Sequence, residues 1–472
     1  MSASAEQSPL TVAIIGAGPS GIYAAEALSQ QSEIAVQVAV IDRLPVPFGL
    51  VRYGVAPDHP SIRSIRHTLE RTLEKSGVRF FGDVTIGRDL SIAELRDTVD
   101  AVIYAYGAGS AKPLGIPGEE LFGSMAAPEF VAWYCGHPDV HPDIDLVRPP
   151  AIVEVLITEA SQAVVVGAGN VALDVVRVLI KSSSELADTD MADEVLDSLA
   201  GKRVNDVHLL MRRGPAYTAF TTKELRELGQ IEDLDIILDP ATLDLDPSSQ
   251  AVADLDKITA RNLVVLREWA TRAPTGASRR LHLHFWTKPT RILGEGEGDQ
   301  ARVRGVETER TAIVADGSVS GTGEMNAVPA QLVVRSVGYH GVAMPGVPFD
   351  ESTGRVPHAD GRVIRDGGFS VDEYATGWIK RGPTGVIGTN KSDAVETVTS
   401  MLTDIAAGAL VAHSRVGALD RLLAERGIHP LDMPAWHRID AAEIERGLSH
   451  GRLRTTLAHR SDLLAAAGDD RP

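Results

Sequence analysis

The sequence predicts an α/β protein with two doubly wound, Rossmann-like domains, the second inserted into the first, and three observations carry that prediction. An apolar strand, a glycine turn and a helix follow one another in LTVAIIGAGPSGIYAAEALSQ. The same order of strand, turn and helix returns in SQAVVVGAGNVALDVVRVLI. Two crossings, DAVIYAYGAGSAKPLGIPG at 100–118 and AQLVVRSVGYHG at 330–341, bracket the second unit. A chain of 472 residues exceeds what one ordinary core supports, so more than one domain is required. The expected division is 1–111 and 333–472 for the outer domain and 112–332 for the inserted one.

In the first unit Ile22, Ala25 and Leu28 fall at helical spacing, and IAVQVAVID at 34–42 supplies the next strand. Gly16, Gly18 and Gly21 form GxGxxG directly after a strand. The first glycine permits a tight turn, the second lets backbone approach a pyrophosphate, and the third lets helix pack on strand. Helix-terminal N–H groups then bind the anionic phosphates. Asp42, ending the second strand, can accept hydrogen bonds from both hydroxyls of an unphosphorylated ribose and would repel a 2′-phosphate. A turn that merely packs helix on sheet needs no such terminal acid, so the whole constellation points to a dinucleotide.

The second unit carries Gly167, Gly169 and Ala172, the GxGxxA variant, and its next strand VHLLM follows an acidic helical insertion around 181–200. Where the first unit has Asp42, this one has Arg212 and Arg213. Guanidinium groups pair with phosphate oxygens and stack on adenine, a combination that selects NADP over NAD. The competing interpretation is a solvated pair bridging to the acidic insertion. One site for an unphosphorylated ribose and one for a phosphorylated ribose are most economically FAD and NADPH, with the hard chemistry carried by the cofactors.

Two further stretches bear on such a site. In GLVRYGVAPDHPSIRSI, Gly49, Gly54, Pro57 and Pro60 predict a long non-helical loop ahead of a helix, with His59 inside it as a hydrogen-bonding strut. In RGPTGVIGTNKSDAVETV a glycine-rich turn leads into a helix starting near Lys391, and its amides can stabilise negative charge on a flavin.

Composition narrows the partners. Hydrophobic residues at 44% and charged ones at 23% exclude a disordered or fibrous chain. A net charge of −18 argues against general binding to nucleic acid or anionic membranes. Cys135 is the single cysteine, so no CxxC pair, iron-sulfur cluster or internal disulfide is available, and it is expected to fill a small apolar gap. Residues 1–10 carry neither the features of a signal peptide nor the arginine of a transit peptide, and no apolar run reaches about 18 residues; a cytoplasmic chain is expected. His282 and His284 share one strand face, but with no third ligand evident a plain strand is favoured and no metal is expected.

Taken together, GAGPSG, GLVRYGVAPDHP, GNVALDVVR, MRRGP with FTTKELREL, and LVVRSVGY followed by GWIKRGPTGVIGTN resemble the NADPH:ferredoxin reductases of the adrenodoxin reductase type, closest to the bacterial members, in the glutathione reductase-like flavoprotein class. The resemblance spans nearly the whole chain, with about 1–10 and 425–472 outside any motif. It implies a ferredoxin–NADP+ reductase with FAD bound by the outer segments and NADPH by the insert. Single electrons would pass to an iron-sulfur ferredoxin, with a cytochrome P450 one candidate acceptor downstream.

For FAD the resemblance implies contacts from Leu50, Val84 and Trp378, the backbone of Gly385, Val386 and Ile387, and the neighbouring Pro19, Ser20, Arg43 and Gly107. For NADP it implies Gly169, Asn170 and Val171 at the pyrophosphate, Arg212 and Arg213 at the 2′-phosphate, and Glu224 at the nicotinamide half, with Gly385 shared. Lys112 stands where the bacterial family can place an arginine, and lysine lacks the bidentate fork. His59 and Glu227 match a histidine and glutamate that position the nicotinamide or relay protons; Glu224 and Glu227, three apart on a helix, can face one cleft. Arg272, Arg279 and Arg280 form a local basic cluster that could steer an acidic ferredoxin. A flavin monooxygenase or another NADPH-dependent flavoprotein oxidoreductase is the rival enzyme, and an electron-wiring subunit without turnover the rival from outside enzymology. A monomer is the simplest expected state.

Overall fold

A computed structural model describes residues 8–140, 150–298, 301–314 and 317–468; the first seven residues of the N-terminal stretch read for a leader lie outside them. The described chain divides into two compact units, 1–110 with 339–472, and 111–338. The return crossing thus falls at 338/339 and not at 332/333. Leu332–Arg335 is the reason: it pairs in parallel with Gln162–Val166 and belongs to the inserted unit's sheet.

The outer unit is built on a seven-stranded sheet. Leu10–Ile15 pairs in parallel with Val36–Ile41 on one side and Ala101–Tyr104 on the other. Val78–Phe81 extends one edge, and Gly368–Ala375 joins the other in parallel, itself paired antiparallel with the preceding strand Arg362–Arg365. Every residue of Leu10–Ile15 and of Ala101–Tyr104 is buried, as expected for strands covered on both faces. One core gathers Ile15, Ile41, Phe81, Leu95, Val102, Tyr104, Val363 and Ile379. The helix Pro19–Gln30 starts on a proline at its first position, and the 18-residue helix Thr389–Ala406 packs against it.

The loop after Gly49 departs from the sequence expectation. Leu50–Tyr53 forms one helical turn and Pro60–Arg63 another, with Gly54 and Pro57 confining the non-helical stretch between them. That loop is pinned by Met433–Ser449, one helix of the charged helical tail that the sequence predicts toward residue 472, through contacts no motif foretold. Phe48 meets Trp436 edge-on at 5.3 Å, and Arg52 donates to Glu443 (Nη1 to Oε2, 3.1 Å). Arg454 donates to the same carboxylate, as does the Leu457 amide at 2.9 Å. Two guanidinium groups thus compensate one fully buried charge. Burial pushes the Glu443 carboxyl up, but Arg52 and Arg454 outweigh it and hold it down to about 2.

The inserted unit has a six-stranded parallel sheet. Its order is Ser124–Ala126, Leu332–Arg335, Gln162–Val166, Asp206–Leu210, Arg279–His284, Leu234–Leu238. The run 280–293 is two strands in two sheets. It breaks at Trp286 (φ +55°), and Thr287–Glu295 starts a three-stranded antiparallel sheet with Arg302–Ile313 and Val319–Pro329. Val164, Val166 and Leu210 pack with Ile292, Val303, Val306 and Val328 in one core. Cys135 is buried at the end of the helix Ala127–Tyr134. Among the described residues no helix is long and apolar enough to cross a membrane.

Candidate functional site

In the outer unit the three glycines do separate jobs. Gly16 turns at φ +110°, and a Cβ there would come within 2.5 Å of the Ala105 carbonyl oxygen. A Cβ on Gly21 would lie 2.0 Å from the Gly16 oxygen, so helix and strand are closer than any side chain allows. Gly18 caps the helix without a side-chain hydrogen bond, which leaves the amides of the first turn open for an anion. Across from it, Gly49 turns at φ +48°, and its Cβ would lie 3.0 Å from the Gly18 Cα. The site therefore has a bare backbone wall at the helix terminus, the shape a pyrophosphate needs.

Asp42 follows the second strand directly. Its Oδ2 accepts from the Ala17 amide at 2.7 Å and its Oδ1 from the Leu44 amide at 2.9 Å. Each oxygen keeps a second lone pair, enough for two ribose hydroxyls. Burial raises the Asp42 pKa, with the two amides and Arg43 opposing it. The Val84 amide donates to the Asp42 carbonyl at 3.0 Å, so buried Val84 and Asp42 lie side by side. Arg43 is exposed beside them. Leu50 and Val386 are exposed apolar side chains, and Trp378 is half-buried against Tyr339 at 5.3 Å.

Gly385 turns at φ +81° against Thr389, whose hydroxyl accepts from the Val386 amide at 3.2 Å. The helix starting at Thr389 has no side-chain cap, and Ile387 and Gly388 lead into it. Gly107 turns at φ +80° with open space where a side chain would be. His59 is buried at the start of Pro60–Arg63, its carbonyl accepting from the Ile62 amide at 3.1 Å.

Sequence reasoning missed the network that braces this second helix terminus. The buried Lys380 ammonium lies 3.0 Å from Asp393 and donates to Glu396 at 2.8 Å. Asp393 also accepts from the Thr376 hydroxyl at 3.1 Å and from the Gly377 amide. Asn390 accepts from the Ser20 hydroxyl at 2.9 Å and from Arg381 at 2.6 Å, tying the two helix N-termini together. The only signal was a lysine and an aspartate flanking a glycine turn, which their sequence separation does not connect.

In the inserted unit Gly167 is extended too far for other residues to follow comfortably (φ +159°). Its Cβ would meet the Ser336 oxygen at 2.4 Å. Gly169 caps Asn170–Ile180 without a side-chain bond and has open space around it, while Ala172 is fully buried. The Asn170 side chain accepts from the Thr221 amide at 2.9 Å, and half-buried Val171 follows on the first turn.

Arg212 and Arg213 are both exposed at the end of Asp206–Leu210. Their backbone is held from both sides: the Thr311 hydroxyl donates to the Arg212 carbonyl at 2.6 Å and the Trp286 amide to that of Arg213 at 3.3 Å. The Arg213 guanidinium sits 5.2 Å over the Tyr217 ring. Neither guanidinium pairs with a carboxylate among the described residues. The acidic insertion instead engages Arg279, through Glu185 at 2.8 Å. The bridging alternative for the arginine pair is thereby removed. So is the basic cluster: Arg272 pairs with Glu268, Arg279 with Glu185 and Arg280 with Asp206.

Glu224 is buried and accepts from Arg177 at 3.0 Å, and Glu227 lies 3.9 Å from the same guanidinium nitrogen. The three-residue spacing does put both on one face, which is directed at Arg177. Lys112 is exposed, and its amide donates to the Gly338 carbonyl at 3.0 Å.

Residues 10–227 match the family model described as pyridine nucleotide-disulphide oxidoreductase. The chain is 44% identical over 464 residues to the NADPH-ferredoxin reductase FprA of Mycobacterium leprae, covering 96% of this chain and 97% of that one. It is 39% identical over 484 residues to the mitochondrial NADPH:adrenodoxin oxidoreductase of Arabidopsis thaliana, covering 99% and 97%. The solved structure of Mycobacterium tuberculosis FprA in complex with NADPH superposes with a TM-score of 0.88 at 42% identity, covering 97% of this chain and 99% of that one.

Proposed function

The chain belongs to the family of NADPH-ferredoxin and NADPH:adrenodoxin reductases, and from that premise we propose that it is an FAD-dependent NADPH:ferredoxin oxidoreductase. One observation carries the reading: corresponding strand ends bear a carboxylate in one unit and, in the other, an exposed arginine pair with no carboxylate partner among the described residues. A half-buried acid fits the unphosphorylated ribose of FAD, and exposed guanidinium groups fit the 2′-phosphate of NADPH. Bound FAD supplies the conversion of a two-electron hydride donor into single-electron deliveries.

The protein's share of the work is binding and orientation. Gly16, Gly18, Pro19, Ser20, Gly21 and Asp42 would hold the pyrophosphate and ribose of FAD, with Arg43, Leu50, Val84, Gly107 and Trp378 around them. Gly385, Val386 and Ile387 would present backbone amides to the flavin ring, where the uncapped helix favours negative charge. Gly169, Asn170 and Val171 would take the NADPH pyrophosphate, Arg212 and Arg213 its 2′-phosphate, and Lys112, Glu224 and Gly385 the rest. His59 and Glu227 are proposed to position the nicotinamide and move protons, without being required for hydride transfer. The reading has the chain act as a monomer in the cytoplasm, where a single cysteine suits a reducing compartment. A cytochrome P450 is one downstream acceptor for the reduced ferredoxin.

Anaerobic mixing with NADPH or NADH, followed by cytochrome c reduction with and without added ferredoxins, tests this. NADPH should bleach the flavin faster than NADH, and a ferredoxin should accelerate electron delivery. If no ferredoxin accelerates it, the partner class is wrong.

A further inference from the structure

Three histidines of the inserted unit meet on one face of its sheet. Parallel register sets His208 beside His282 on neighbouring strands, and His284, two residues on, shares that face. The rings stack, with centroids 4.3 Å apart for His208 and His282 and 5.2 Å for His208 and His284. His208 Nδ1 lies 3.0 Å from His284 Nε2, and one nitrogen from each of the three lies within 4.8 Å of the others. His282 Nε2 is 2.7 Å from Asp206, a buried carboxylate that also accepts from Arg280.

One feature is unlike a plain strand: buried His208 turns its Nδ1 toward another imidazole nitrogen, and the two can share only one proton between them. Two imidazole nitrogens bound side by side at about 2.0–2.1 Å to one divalent ion stand roughly 3–3.5 Å apart, which matches the observed 3.0 Å.

We propose that His208, His282 and His284 form a transition-metal site in the inserted unit, with three imidazole ligands for a borderline divalent ion of the zinc class. In it the metal takes the place of the proton shared by His208 and His284. Asp206 is the positioning residue: by engaging His282 Nε2 it orients that ring and turns Nδ1 toward the ion, the arrangement in which a carboxylate steadies a metal-bound histidine. The donor set is all nitrogen, which favours zinc, nickel or copper over magnesium or calcium. None of the three histidines is among the residues proposed to hold FAD or NADP, and the site does not depend on the activity proposed above.

The test uses the full-length, FAD-loaded chain without an affinity tag, stripped with chelator and titrated with Zn2+ against a chromophoric competitor. The wild-type chain should bind one tight equivalent. So should His437→Gln, which alters the exposed cluster of Glu70, Glu74 and His437. The double variant H282Q/H284Q should lose that equivalent, and Asp206→Asn should weaken it by about 10–100-fold. Absence of a tight equivalent in the wild type, or its survival in the double variant, overturns the site. X-ray absorption of the wild-type zinc form gives a readout that no folding defect can blur: three imidazole ligands support the proposal and fewer overturn it.

Discussion

At the residue scale, the proposed discrimination between the two cofactors rests on a reversal of charge at one topological position. Asp42 accepts from two amides and has lone pairs left for the proposed sugar hydroxyls; Arg212 and Arg213 are exposed and, among the described residues, pair with no carboxylate, which suits the proposed phosphate. Charge-assisted contacts contribute about 1.5–3 kcal/mol each, so Arg212→Ala or Arg213→Ala should cut kcat/KM for NADPH by roughly tenfold or more and leave NADH nearly unchanged. Equal losses with both nucleotides would assign these arginines to the fold. Gly21→Ala should be strongly damaging, because backbone occupies the space the methyl needs; cofactor content of the purified variant reads the effect. Both predictions rest on features legible in the sequence, since glycine spacing and a terminal acid or base are local patterns. The absence of a partner for the arginines was not legible, because it depended on where the acidic insertion folded.

At the scale of elements, the C-terminal helix Met433–Ser449 acts as a clamp on the loop carrying Gly49 and Leu50. Its charge, Glu443, is fully buried between Arg52 and Arg454. Removing one member of such a group leaves an uncompensated buried charge, so Glu443→Gln should cost about 3–5 kcal/mol in denaturant unfolding. The pH dependence follows from the depressed carboxyl. Glu443 titrates at about 2 in the folded chain against an ordinary 4.5, so the unfolded chain binds the extra proton. Its contribution is therefore complete above about pH 4.5 and drains as pH falls toward 2. Unfolding midpoints measured down this range should fall less steeply in Glu443→Gln than in the parent. None of this was readable beforehand: Arg52 and Glu443 are 391 positions apart, and neither sits in a pattern that announces its partner. His208 was missed for the same reason, since only strand register brings it beside His282.

At the scale of the whole molecule, the chain holds two compact units, and the proposed function gives each its own ligand. Apart from His59 and Gly385, every residue proposed for NADP lies in 111–338, so a large excess of NADP+ should stabilise that unit. At a hundredfold over Kd the gain is about 2.7 kcal/mol, and calorimetry should show it on one transition with the other nearly unmoved. A uniform shift of both would mean that the units unfold as one. The two-unit plan itself was legible because each strand–turn–helix repeats the same grammar. Its second boundary was not, because Leu332–Arg335 is apolar enough to serve either sheet and only pairing decides.

The hydrogen bond from the Lys112 amide to the Gly338 carbonyl has a consequence for how such a chain can be cut and rejoined. It holds the two ends of the inserted unit, its second and last residues, at one point, like the two leads of a plug. A segment whose ends already touch can be lifted out and closed on itself, or moved into another host, without stretching either chain. The nucleotide preference of this protein is in that sense a cartridge, and exchanging 111–338 for a relative's equivalent is the natural way to change it.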